Sequence, residues 1–348
     1  MKPIINRFNG LLLVGLVTVA STVICQAEGS YHLLKEIPVG GEGGWDYLTV
    51  DPAGHRLYVT HATKVVVIDT GSDQVIGEIA DTPGVHGFVL APELGRGFSS
   101  NGRENKASII DLKTLQTVAK VATGENPDAI LYDPAQREVY TFDGRGQSVT
   151  VFAADTGKVV ATIPVGGKPE FAQADPAAGQ IYLNLEDKNE LLVIDTKTHA
   201  VVHRWPIAPG EEATGLAIDL EHHRLFLGCS NGLMLVMDNR DGRVVASLAA
   251  GQGIDATAFD PGTQLAFASA GEGSVTIARE DTPDKFTVVQ TLATERSART
   301  MALDPVTHRI YFASAQFEAP ASPPPAGAGR PRPKIIPGTF KILVYGMN

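Results

Sequence analysis

The chain has 348 residues, with 36 glycines and 22 prolines, 43% hydrophobic and 20% charged residues, and a formal net charge of −10. This composition fits a turn-rich globular protein and excludes collagen-like and disordered chains. The acidic balance argues against nucleic acid as a partner, since phosphate backbones require clustered Lys and Arg, and only Arg330, Arg332 and Lys334 cluster.

Lys2 and Arg7 precede an apolar run over residues 11–24, and Cys25-Gln26-Ala27 offers a small-residue cleavage site. The pattern predicts a secretory signal peptide over residues 1–27, the run being short for a spanning helix. The mature chain, residues 28–348, is then exported, to the periplasm or beyond, with no transmembrane segment. The alternative is a lipid anchor on Cys25. It fits less well, because Ile24 stands where such a signal has a small residue. Cleavage leaves Cys229 alone, so no internal disulfide is expected.

An Asp-Pro-like pair then recurs: Asp51-Pro52, Ala91-Pro92, Asp133-Pro134, Asp175-Pro176, Asp219-Leu220, Asp260-Pro261 and Asp304-Pro305. The period is about 42 residues, which is long enough for four strands. Each pair precedes a β-rich run, such as LYVTH from Leu57, VYTFD from Val139 or IYFAS from Ile310. A second run ends in Asp, as in VVVID from Val65 and LLVID from Leu191, and a third follows a turn, as in VVATIPVGG from Val159. Strand, turn, strand, turn, strand, turn, strand is a propeller blade. The segment HLLKEIPVGG from His32 matches that outer strand, and FKILVY from Phe340 matches a third strand. The expectation is therefore an all-β, seven-bladed β-propeller of four-stranded blades. The N-terminal strand completes the last blade, so residues 28–348 form a single domain.

LYVTHATKVVVIDT and its counterparts resemble the YVTN-repeat, YncE-like secreted β-propellers over essentially the whole mature chain. The resemblance implies the fold and export. It implies no particular reaction, because fold does not determine function.

In a propeller the first strand of each blade lines the central channel. Five positions before each Asp-Pro anchor, where the chain enters that strand, stand Asp46, His86, Asp128, Glu170, Thr214, Asp255 and Arg299. Four carboxylates in one layer repel unless a cation or Arg299 compensates. That makes the mouth a candidate site. The residues leave three readings open: a solvated polar ring, an organic ligand, or a divalent cation held by Asp128, Glu170 and Asp255. Such a donor set suits Ca²⁺, Mg²⁺ or Mn²⁺.

The turns between second and third strands add His61, Asn101, Arg103, Glu104, Asp143, Arg145, Glu186, Asp187, Asn231 and Glu272 to the same face. Most suit tight hairpins, whereas His61 follows a YVT strand end and is a ligand-facing candidate. The seventh turn is a Pro-rich insertion, residues 317–338, with seven prolines. It cannot join a sheet and is either a lid or partner arm over the mouth or a plain surface loop. His55, His222, His223 and His308 fall in the anchor turns on the opposite face and read as turn residues.

No Gly-Lys-Ser phosphate loop, CxxCH, Gly-x-Ser-x-Gly or HExxH motif occurs. The leading expectation is a binding or scaffold module of the cell envelope. Its partner, a protein or a small molecule, would dock on the channel-mouth face. The alternative is a metal-assisted hydrolase or lactonase-like enzyme in which a cation polarises a carbonyl and a carboxylate or His86 acts as base.

Overall fold

In the computed structural model, which describes residues 29–318 and 334–347, the alternation of short apolar runs and turns becomes seven four-stranded antiparallel sheets. Six blades are contiguous, at residues 45–79, 85–122, 127–164, 169–206, 213–249 and 254–293. The seventh, built from 301–346, takes His32–Pro38 as its outer strand, paired antiparallel with Lys341–Gly346. The inner strands are Trp45–Asp51, Val85–Ala91, Pro127–Asp133, Pro169–Asp175, Ala213–Asp219, Ile254–Asp260 and the shorter Met301–Asp304. Each contacts the next, and the seventh contacts the first, which closes the ring. The expected N-terminal strand ends at Pro38, where Gly40 and Gly41 turn to φ of 72° and 90°. Among the described residues no helix is long and apolar enough to cross a membrane.

The layers follow from the sequence pattern. Second and third strands are continuous apolar runs because neighbouring blades cover both of their faces. Arg56–His61, for instance, is buried at every residue after Arg56. Tyr58, Tyr140, Tyr182 and Tyr311 repeat on these strands and are fully buried. Each contributes about 1.5–3 kcal/mol by apolar burial, on the scale of a large side chain. Outer strands cover one face only, so Val75 and Ile76 stay half exposed.

The anchor turns are held by their own Asp. Asp133 Oδ1 accepts the Ala135 N–H at 2.9 Å, Asp175 Oδ1 the Ala178 N–H at 3.0 Å and Asp260 Oδ1 the Gly262 N–H at 2.9 Å. This is the Asx-turn geometry for which Asp is favoured. The last turn residue is left-handed: His55, Arg137, His223, Gln264 and His308 all have φ between 52° and 60°. His55, His223 and His308 thus occupy one repeated backbone position, as expected.

The signal-peptide segment lies outside the described residues, as does 319–333 of the Pro-rich insertion. The flanks of that insertion are described. Phe317 and Ile335 form an antiparallel bridge, and Glu318 N–H donates to Lys334 O at 2.8 Å. The Phe317 ring lies 6.2 Å from that of Trp45, so the insertion is rooted beside the first inner strand.

Candidate functional site at the channel mouth

Six of the seven ring residues sit in a β-bulge. The register between first and second strands shifts between Trp45 and Leu48, Val85 and Phe88, Pro127 and Ile130, Pro169 and Ala172, Ala213 and Gly215, and Ile254 and Ala256. A bulge re-aims one side chain and bends its strand, and here it recurs at the same end of each blade. Arg299 differs, because the seventh inner strand begins only at Met301 and Arg299 lies on its lead-in. Below the ring the inner strands converge on a narrow cavity walled by Tyr47, Phe88, Ile130, Phe171, Leu216 and Met301, so the polar layer rests on an apolar floor.

The carboxylates are compensated in three sectors. His86 Nδ1 lies 2.7 Å from Asp46 Oδ2 and 3.4 Å from Asp128 Oδ1, tying blades one, two and three together. Lys168 pairs with Glu170 at 3.0 Å and with Glu186 on the rim. Arg299 Nε lies 3.2 Å from Asp255 Oδ2. The compensation is incomplete in geometry. Asp128 Oδ1 and Glu170 Oε2 are buried and accept no hydrogen bond of acceptable angle, leaving only those ionic contacts.

Titration follows from this crowding. Burial raises the Asp128 carboxyl to about 6, with His86 opposing and Asp46 adding to it. Burial and then the Asp128 charge push Glu170 up to about 8 against the pull of Lys168. Burial likewise raises Asp255 to about 6, with Arg299 opposing. For His86 burial works downward, but the Asp46 hydrogen bond and the Asp128, Asp46 and Glu170 charges outweigh it and raise the imidazole to about 9. Tyr47, beneath the ring, is raised by burial and then by Glu170, Asp128, Asp46 and Asp255.

Other expected residues have different fates. Thr214 donates its hydroxyl to Ile254 O at 2.7 Å, clamping blade five to blade six. His61 is buried and stacked on Phe340 at 4.2 Å, and burial lowers its pKa. Asn101 donates to Glu104 and Ser108, and Asp143 accepts from Thr150 at 2.7 Å, so both brace their hairpins. Of the three residues expected to share a metal, only Asp128 belongs to a compact ligand group, whose other members are Asp46 and His86. Glu170 and Asp255 stand on other blades, each engaged by its own cation. Lys168 and Tyr47 escaped the sequence reading. Lys168 carried a signal, since it lies two residues before Glu170 and period two returns it to the same side.

A hydrazine synthase chain from Kuenenia stuttgartiensis has a similar structure, with a TM-score of 0.68 and 17% sequence identity, covering 77% of this chain and 92% of that one. At that identity the likeness shows the fold alone, a β-propeller. No family model and no curated protein matches the chain.

Proposed function

We propose that the protein is an exported binding propeller whose channel mouth takes a divalent cation on Asp46, His86 and Asp128, with a small-molecule or protein ligand completing the coordination. The observation that carries this reading is the convergence of two carboxylates and one imidazole from three separate blades, with ligand atoms all within 4.8 Å of one another. Two carboxylate oxygens suit Mn²⁺, Mg²⁺ or Ca²⁺, and a cation bound here would displace the proton that Asp46, Asp128 and Glu170 hold on His86, freeing its nitrogen as a third ligand. The buried oxygen of Asp128 that lacks a well-aligned donor is the kind of atom a cation satisfies. Rooting of the Pro-rich insertion beside Trp45 supports a partner on this face. The leader pattern and the YVTN-like repeats support export.

The test is calorimetry and thermal melting with Mn²⁺, Mg²⁺ and Ca²⁺. At a hundredfold excess over Kd a bound cation adds about 2.7 kcal/mol of stability. That gain is expected in the parent and cut to about half or less in Asp128→Asn. A parent protein with no cation-dependent shift overturns the reading.

One observation favours a hydrolase as a second reading. Glu170 is buried at the mouth on the blade next to Asp128, with its carboxyl raised to about 8 by burial and the Asp128 charge, so it would be the acid while a cation polarises a carbonyl, as lactone or ester hydrolysis requires. Turnover of a lactone panel that vanishes in Glu170→Gln supports it, and turnover unchanged in that variant removes it.

A further inference from the structure

The face opposite the mouth carries a departure from the repeat. In blade six the third and outer strands run Ser274–Thr282 and Lys285–Ala293, nine residues each, where most counterparts have six or seven. The lengthened hairpin reaches over the anchor turn of blade five. Arg224 Nε donates to Pro283 O at 2.6 Å, and its Nη2 meets Asp284 Oδ1 at 3.0 Å. Glu280, on the extension, is thereby brought against Asp219 and His222.

These three side chains form a compact group with ligand atoms within 4.8 Å of one another. His222 Nδ1 stands 2.8 Å from Asp219 Oδ2 and 3.0 Å from Glu280 Oε1. One ring nitrogen cannot direct a proton at both oxygens, and neither contact has hydrogen-bond geometry. Asp219 Oδ1 is already used by the Glu221 N–H at 3.0 Å, so the free Oδ2 is the atom that faces the group. The independent sign of a ligand is Glu280 itself. Its side chain is 1% exposed, and among the described residues no N–H or hydroxyl donor is aimed at either of its oxygens, the one hydrogen-bond contact being a proton shared with Asp219 inside the group. Burial and the Asp219 charge raise this carboxyl to about 7, with His222 opposing. The nearby Arg224 guanidinium is turned elsewhere, to Asp238, Asp284, Pro283 O and the carbonyls of His222 and His223.

We propose that Asp219, His222 and Glu280 form a structural Zn²⁺ site that staples blade five to the long hairpin of blade six. Zinc is the metal the surroundings select. Ca²⁺ needs six to eight oxygens and Mg²⁺ keeps several waters. Two carboxylates shut away from solvent provide neither, whereas Zn²⁺ needs only four donors, these three side chains and one water at the partly exposed His222 edge. The site is independent of the mouth, sharing no residue with it.

The experiment is calorimetry with Zn²⁺ alone on chelator-treated protein in an Asp46→Asn background, which separates this site from the mouth. One equivalent of Zn²⁺ is expected to bind and raise the melting temperature. X-ray absorption should show one imidazole and oxygen donors. Glu280→Gln keeps the side-chain shape and is expected to weaken binding by more than about tenfold. His222→Ala, a partly exposed turn substitution, should do the same and covers the case in which the Glu280 variant fails to fold. No Zn²⁺ uptake by the Asp46→Asn protein overturns the site, as does undiminished uptake in His222→Ala. Loss of cation binding in Asp46→Asn at the mouth, with this equivalent retained, leaves the staple standing whatever becomes of the mouth.

Discussion

Each inner strand has two polar ends, and they obey different rules. At the anchor end the same residue recurs: Asp51, Asp133, Asp175, Asp219, Asp260 and Asp304, with Ala91 the exception. At the mouth end the equivalent position reads Asp46, His86, Asp128, Glu170, Thr214, Asp255 and Arg299. The anchor aspartates accept from their own turn backbone, a need every blade shares. Most mouth side chains, by contrast, are re-aimed by bulges towards neighbouring blades, where His86 meets Asp46 and Asp128, and Asp255 meets Arg299. Repetition therefore marks residues that the backbone requires, and variation at a fixed position marks residues the backbone leaves free for other chemistry.

The sharpest way to break this contrast is at the anchor end. Asp260 accepts from Gly262 N–H, from Thr263 Oγ1 and from His308 Nδ1 of blade seven at 2.7 Å. Asp260→Ala is expected to cost about 3 kcal/mol in urea denaturation, without changing cation affinity at the mouth. A cost below about 1 kcal/mol would remove the distinction between the two ends.

Next in size is a pH effect confined to the mouth. Glu170 releases its proton at about 8 in the folded chain and at its ordinary value of 4.5 when unfolded. The folded state thus holds the extra proton between those values. Stability is highest below the lower one, falls as pH rises and is fully reduced above the upper one. Without added cation an isolated group would lose about 4 kcal/mol between about pH 5 and pH 9, and the coupling of Glu170 to Asp128 and Lys168 reduces the expected loss to the order of 2 kcal/mol. Glu170→Gln should make the profile shallower, leaving the slopes of Asp128, Asp255 and His86, and a profile as steep as the parent's refutes the assignment.

Smaller again is the affinity effect of a single ligand. Asp128→Asn should weaken Mn²⁺ binding about tenfold or more, equivalent to about 1.4 kcal/mol, while shifting cation-free stability by less than that. The smallest effect belongs to Thr214. Removing its hydroxyl bond to Ile254 O in Thr214→Val should cost about 1 kcal/mol of stability and leave Mn²⁺ affinity untouched.

The blade count, the strand order and the ring positions were legible because each depends on local turn chemistry repeated at a regular spacing. The pairing within the mouth was not. Whether Asp128 meets His86 or Glu170 depends on how far each bulge swings a side chain, and no spacing encodes that. The metal set Asp128, Glu170 and Asp255 follows from residue type alone, whereas the ligand atoms that lie within 4.8 Å of one another belong to Asp46, His86 and Asp128. Glu280 was invisible for a related reason. A hairpin a few residues longer than its counterparts carries it over a turn some sixty positions away in sequence, and His222 read as an ordinary turn residue until that neighbour was in place.

The shared seventh blade also dictates an order of assembly. His32–Pro38 leaves the ribosome before any complete blade, yet its pairing partner, Lys341–Gly346, is made after all six contiguous blades. The Lys341–Glu36 ion pair joins positions 305 apart. Six blades can form from hairpins as they emerge, whereas the seventh awaits the longest loop closure in the chain. Until that step the molecule is an open arc with one strand missing from its final sheet, and the unpaired edge is the surface most exposed to pairing with another chain.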